Sequence, residues 1–227
     1  MEAMIAAEPN PFIFIHIPKC AGTSIERALT SVVTEHKGFE TMSEKERAKF
    51  WLPGVAELQH AKLSEYERQF KLHHYLKFAF VRNPWDRAVS QIDFLRSVTG
   101  TKWFSGSTFK EHVKVYCTLT RNIWAHDLAA CQMTYLRNKS GKIGVDFIGR
   151  FESLLDDFAK LCRMLGFQAV PDLPHIYNSR RRQHYSAFYD TEAATWIRKR
   201  FAMDIDMLGY EFEEGPGLPA KMPLNVY

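Results

Sequence analysis

The stretch from Phe12 to Ile17, FIFIHI, is a continuous apolar run enclosed by Pro11 and Pro18. It is strand length rather than helix length. Its aromatic and β-branched residues predict a strand buried on both faces, as in the middle of a parallel sheet. Directly after Pro18 come Lys19 to Ser24, KCAGTS, and then Ile25, Ala28, Leu29, Val32 and Val33 recur at i, i+3, i+4, i+7 and i+8. That spacing is the stripe of an amphipathic helix, with Thr23 or Ser24 as its N-cap. A buried strand that turns through a short Gly-containing loop into a helix admits few folds, and most of them are layered α/β structures.

The arrangement recurs. Leu76 to Val81, LKFAFV, reads as a second buried strand; Asn83 can cap and Pro84 can open a helix whose apolar stripe is Ala88, Val89, Ile92 and Leu95. Val145 to Phe151 reads as a third core strand. It feeds a helix with face Leu154, Leu155, Phe158, Leu161, Cys162 and Leu165, stopped by Gly166. Between the first two copies the pattern predicts a polar helix near 43–52, a short strand over Val55 to His60 and a helical turn from Ser64. Turn chemistry marks loops at 97–107 and 138–144 with a helical segment between them, and two late helices fall near 190–201 and 203–208. The fold class expected is α/β: a P-loop-like open, mainly parallel sheet flanked by helices, with ligands at the carboxyl ends of the strands. Residues 1–227 are expected to form a single domain, with a loosely held tail from about 213.

Composition narrows the function classes. Lys plus Arg exceed Asp plus Glu by only 30 to 26, a dispersed surplus that points away from nucleic acid and toward, at most, a local anionic ligand. Cys20, Cys117, Cys131 and Cys162 form no CxxC pair and no metal-ligand spacing, so they are expected to be reduced thiols and no metal site is expected. No window approaches the length of apolar residues that crosses a bilayer, and no leader is evident, which predicts a cytoplasmic protein. Oligomeric state is not readable from these features.

The KCAGTS loop has the form of an anion cradle. Backbone N–H groups at a helix start lack intrahelical partners and sit at the positive end of the helix dipole. Lys19 adds an ammonium, and Thr23 and Ser24 add hydroxyls. The order differs from GxxxxGK[ST], because Lys precedes Gly and no later acidic residue belongs evidently to a magnesium site.

HIPKCAGTS followed by FAFVRNPWDRAVS resembles the carbohydrate sulfotransferases related to heparan and uronyl 2-O-sulfotransferases, including bacterial members. The resemblance runs on through 148–166, PHIYNSR at 174–180 and KRFAMDIDMLGYEF, so it covers most of the chain. It implies that 3′-phosphoadenosine 5′-phosphosulfate (PAPS) is the donor and that the desulfated nucleotide PAP is the product. It also implies that Lys19, Cys20, Ala21, Gly22, Thr23 and Ser24 hold the 5′-phosphosulfate, while Arg82 and Ser90 hold the 3′-phosphate. Cys20 departs from the usual Thr, exchanging a hydroxyl for a thiol while leaving the backbone donor in place. Asn178, Ser179 and Arg180 are implied to close a late loop over the nucleotide.

In the transfer itself Lys19 is the candidate for stabilising charge on the departing oxygen. His60, in the segment before the second phosphate motif, is the candidate base for the acceptor hydroxyl, which the resemblance implies is on a saccharide. Several of these residue types have plainer uses. An ion pair with Asp86 would by itself account for Arg82; His16 lies inside the first strand and suits a structural hydrogen bond; His73 and His74 suit solvent; Trp85 and Trp103 suit core or loop. A nucleotide-dependent kinase on the same cradle and a non-catalytic nucleotide-binding protein are the competing functions.

Overall fold

The structure is a computed structural model describing residues 5–6, 11–34, 60–99, 108–118, 129–174, 183–213 and 215. The expected helix near 43–52 and most of the expected strand over Val55 to His60 lie outside the described residues.

A four-stranded sheet carries the architecture: β1 (Ile5–Ala6), β2 (Phe12–Ile15), β3 (Leu76–Val81) and β4 (Phe147–Arg150), in that spatial order. β2, β3 and β4 are parallel, with Phe14 opposite Phe78 and Ala79 opposite Ile148, while the two-residue β1 runs antiparallel to β2. The α/β class and the parallel three-stranded core are as the sequence predicts; β1 is too short to leave a pattern. Helices follow each parallel strand: α1 (Gly22–Thr34) after β2, α3 (Pro84–Thr99) after β3 and α6 (Leu154–Met164) after β4. The remaining helices are α2 (Leu63–Gln69), α4 (Phe109–Thr118), α5 (Gln132–Leu136), α7 (Thr191–Arg200) and α8 (Ala202–Leu208).

The chain divides into two compact units, one of residues 1–81 and 132–178 and the other of residues 82–131 and 179–227. In the first, all four residues of β2 and the last four of β3 are buried, as expected of central strands. Phe14 stacks on Phe78 with ring centroids 5.0 Å apart, and Phe12 meets the same ring at 5.7 Å. Ile25, Ala28 and Leu29 of α1 and Phe158, Leu161 and Cys162 of α6 are buried in this unit. Two readings need correcting here. The third strand is not a fully buried one: Phe147, Ile148 and Arg150 are half-buried, because β4 pairs only with β3. Leu155 is 70 % exposed, since at about 100° per residue it falls at the margin of a stripe centred on Phe158, Leu161 and Leu165.

In the second unit α3 packs its Trp85, Val89, Ile92 and Leu95 among Val113 and Tyr116 of α4 and Ala193, Ile197 and Phe201. Its start follows the sequence closely. Asn83 Oδ1 accepts from the Trp85 N–H at 3.1 Å, and Pro84 takes the first helical position. Asn83 Nδ2 also donates to the Glu211 carbonyl and the Tyr185 hydroxyl. The first residues of the loop expected over 97–107 are helical instead, because α3 continues to Thr99, and 100–107 lie outside the described residues; the Ser97 hydroxyl bonds back to the Phe94 carbonyl, which keeps a turn-forming residue within the helix. The turn at 138–144 forms as predicted, with Asn138 Oδ1 accepting from the N–H groups of Ser140 and Lys142.

Two expected outcomes follow from these junctions. Asn83→Ala removes a cap and unpairs buried groups, so the chain should lose about 1–3 kcal/mol in urea unfolding. Asp157 accepts from the Arg150 N–H, the Ser153 hydroxyl and Lys160. Burial opposes its charge, but the Lys160, Arg150 and Ser153 hydrogen bonds outweigh it and hold the carboxyl below its ordinary range. A lowered folded pKa stabilises above the unfolded carboxylate range and is lost as pH falls through the folded value. Asp157→Asn should therefore be less stable than wild type near pH 7 by about 1–2 kcal/mol, and the gap should close on acidification.

Candidate functional site

Within the first unit, β2 ends at Ile15 and His16 and Ile17 remain buried before the chain turns at Pro18. The turn is made by two non-glycine residues in the left-handed region, Lys19 at φ 67° and Ala21 at φ 65°, a conformation costing roughly 1–2 kcal/mol each. α1 then begins at Gly22, earlier than the N-cap expected at Thr23 or Ser24. The Ala21 carbonyl already accepts from the N–H groups of Ser24 and Ile25, at 3.0 and 3.1 Å. The first turn of a 13-residue helix thus follows the loop directly; the Ala21 carbonyl takes the N–H groups of Ser24 and Ile25, and those of Gly22 and Thr23 come ahead of the helical ladder.

Under this turn lies His16. A Cβ built on Gly22 would fall on the His16 imidazole, inside contact distance of Nε2, Cδ2 and Cε1, so only glycine lets the loop settle there. The ring is fixed on its other sides. Its Nδ1 meets Glu26 Oε1 at 2.7 Å, it stacks on Phe14 with centroids 5.5 Å apart, and it meets His60 edge-on at 4.5 Å. His16 and Glu26 are both buried. The structural hydrogen bond expected of His16 is therefore present, with Glu26 as a partner that spacing alone did not identify. The one available signal was a carboxylate beside Ile25 and one turn before Leu29, on the side of the helix that turns inward.

His60, half-buried, places Nδ1 3.0 Å from the main-chain oxygen of His16. A carbonyl oxygen only accepts, so Nδ1 carries the hydrogen and the neutral ring holds its lone pair on Nε2, the form a base needs. Cys20 turns its thiol inward, 3.3 Å from Gln132 Oε1 and 3.6 Å from the Pro18 carbonyl, with 1 % of the residue exposed. Gln132 is thus a support of the loop that sequence reasoning missed. Tyr66 is buried in the same unit, and its phenol is pushed up by burial and then by the charges of Glu26 and Glu65.

In the second unit Arg82 donates through Nε to Asp86 Oδ2 at 2.7 Å, and both side chains are largely buried. The ion pair weighed as an alternative use of Arg82 is formed, and it orients the guanidinium through one of five N–H donors. Ser90 stands half-buried on the second turn of α3. Trp85 is a core residue whose Nε1 donates to the Ala194 carbonyl at 2.9 Å. His73 and His74 are exposed, as expected. Trp103, Asn178, Ser179 and Arg180 lie outside the described residues. Among the described residues no three His, Cys, Asp or Glu side chains gather into a metal-binding group, and no helix is long and apolar enough to cross a membrane.

Carbohydrate sulfotransferase 12 of Xenopus laevis is 23 % identical over an alignment covering 92 % of this chain and 60 % of that protein. The chain therefore spans less than two thirds of that relative's length. An uncharacterized protein of Archaeoglobus fulgidus is 34 % identical over 44 % of this chain and 74 % of its own. No solved structure matches. A family model described as the sulfotransferase family matches residues 2–211, through both strand-to-helix junctions and on to the last helices, and the chain belongs to that family.

Proposed function

We propose that this chain transfers a sulfuryl group from PAPS to a hydroxyl group of a saccharide. The observation that carries the reading is the pairing, in one unit, of a Lys-bearing loop at the start of α1 with a histidine whose Nδ1 is held by a carbonyl. The saccharide acceptor is suggested by the likeness to a carbohydrate sulfotransferase.

The residues divide the work as follows. The N–H groups at the start of α1, with Thr23 and Ser24, hold the 5′-phosphosulfate by the same logic that places anions at helix N-termini. Arg82, oriented by Asp86, and Ser90 hold the 3′-phosphate, and Ser179 and Arg180 add contacts to the nucleotide. His60 Nε2 takes the proton of the acceptor hydroxyl as its oxygen attacks sulfur in line with the bridging oxygen. The new S–O bond forms as the old one breaks, and the electron pair leaves on the phosphate of PAP. Lys19 sets its positive charge against that departing oxygen, where charge is greater in the transition state than in the ground state.

The test is transfer of labelled sulfate from PAPS to a panel of glycans, alongside calorimetric binding of PAP. Wild type should transfer label and bind PAP. Lys19→Ala should lower kcat/KM by roughly 10²–10³-fold. His60→Ala should lower kcat by roughly 10²–10⁴-fold while leaving PAP affinity within about threefold. Gly22→Ala should displace His16, lower the melting temperature and weaken PAP binding, because the added methyl has no space under the loop. Transfer that proceeds only from ATP, or PAP binding with no turnover on any acceptor, would overturn the proposal in favour of a kinase or a binding protein.

A further inference from the structure

Glu26 is a buried carboxylate to which the transfer chemistry assigns no task. Its side chain is 9 % exposed, yet it stands in the first turns of the helix whose N-terminus is read above as the donor's anion site. On charge alone that is the wrong residue, because a negative charge near an anion site weakens binding. A buried carboxylate is also expensive to keep charged. Oε1 receives the His16 Nδ1 hydrogen bond, whereas Oε2 has no hydrogen-bond partner among the described residues. A residue that is unfavourable both by burial and by charge needs a geometric reason to be there.

His16 supplies one. Its imidazole is the surface on which Gly22 rests, and its carbonyl is the acceptor that holds His60 Nδ1. Between Phe14 on one face and the edge of His60 on another, the ring has one remaining degree of freedom, rotation about χ2, which would exchange Nδ1 for a carbon. The hydrogen bond to Glu26 removes it. One orientation of one ring therefore bears on the loop that cradles the anion, through Gly22, and on the histidine that takes the proton, through the ring contact at 4.5 Å, while the His16 carbonyl holds that histidine from the main chain.

We propose that Glu26 is a positioning residue which, by fixing the His16 ring, sets the donor loop at Gly22 and the base His60 in a single geometry. The inference rests on the proposed donor site. Glu26 touches neither reacting atom; it acts through His16, as outer partners of metal-bound histidines orient those rings. Burial first, and then the Glu26 charge, push the phenol of Tyr66, another buried group of this unit, upward.

Two variants of the full chain separate geometry from charge. Glu26→Met fills the space without an acceptor, and Glu26→Gln keeps an acceptor oxygen without the charge. If position is what matters, Glu26→Met should weaken PAP binding about tenfold and lower kcat by a similar factor, whereas Glu26→Gln should stay within about threefold of wild type in both. If only charge matters, both variants should bind PAP more tightly than wild type. Nitrogen-15 histidine spectra give a readout independent of activity: a downfield Nδ1-bound proton on His16 in wild type and Glu26→Gln, absent in Glu26→Met. Thermal unfolding confirms that each variant is folded. Equal or tighter PAP binding by Glu26→Met, or an equal loss in both variants, would overturn the inference while leaving the donor site intact. Failure of wild type to bind PAP would instead overturn the donor site, and this inference with it.

Discussion

The parallel pairing of β2 with β3 is the constraint on which the described architecture rests. Because the two strands run the same way, the chain leaves both at one end of the sheet. In sequence each of these strands is followed by a helix, α1 after β2 and α3 after β3. Phe12 and Phe14 on one strand and Phe78 on the other meet ring to ring, and this apolar contact fixes the register that sets Ile15 opposite Ala79. A slip of one residue would turn His16 to the opposite face, away from Glu26 and Gly22.

Chemistry in the first unit is organised around a ring rather than around a charge. His16 is neither exposed nor reactive in the reading offered here, yet four groups take their positions from it: Phe14 by stacking, Gly22 by close approach, Glu26 through Nδ1 and His60 through the main-chain oxygen. Arg82 and Asp86 show the same economy in the second unit, where an ion pair one helical turn apart is buried at the start of a helix. In both places a buried carboxylate orients a cationic or potentially cationic side chain. This accounts for acidic residues beside groups read as binding anions.

What could be read from the sequence was the part governed by periodicity. The strands at 12–15 and 76–81, the stripe of α3 and the cap at Asn83 are local patterns of burial and turn chemistry, and they emerged where expected. The loop Lys19 to Ser24 was also evident, because Gly, Thr and Ser after an apolar run have few uses. What could not be read depends on contacts across the chain. Glu26 and Gln132 meet the loop through His16 and Cys20, at separations of 10 and 112 residues, and no spacing rule connects them. Leu155 and the half-exposed β4 were misjudged for a related reason: an apolar pattern says that a face can be buried, whereas the presence of a neighbour decides whether it is.

The left-handed backbone at Lys19 and Ala21 has a kinetic meaning as well as a structural one. Glycine would occupy those angles at less cost, so the chain keeps Lys and Ala there against a local preference and holds them through the packing of His16 and Cys20 around the turn. A loop shaped in this way has few other conformations to visit. For the oxyanion proposed to bind there, a loop held in this shape would need no ordering step on encounter, and release would not wait for the backbone to rearrange.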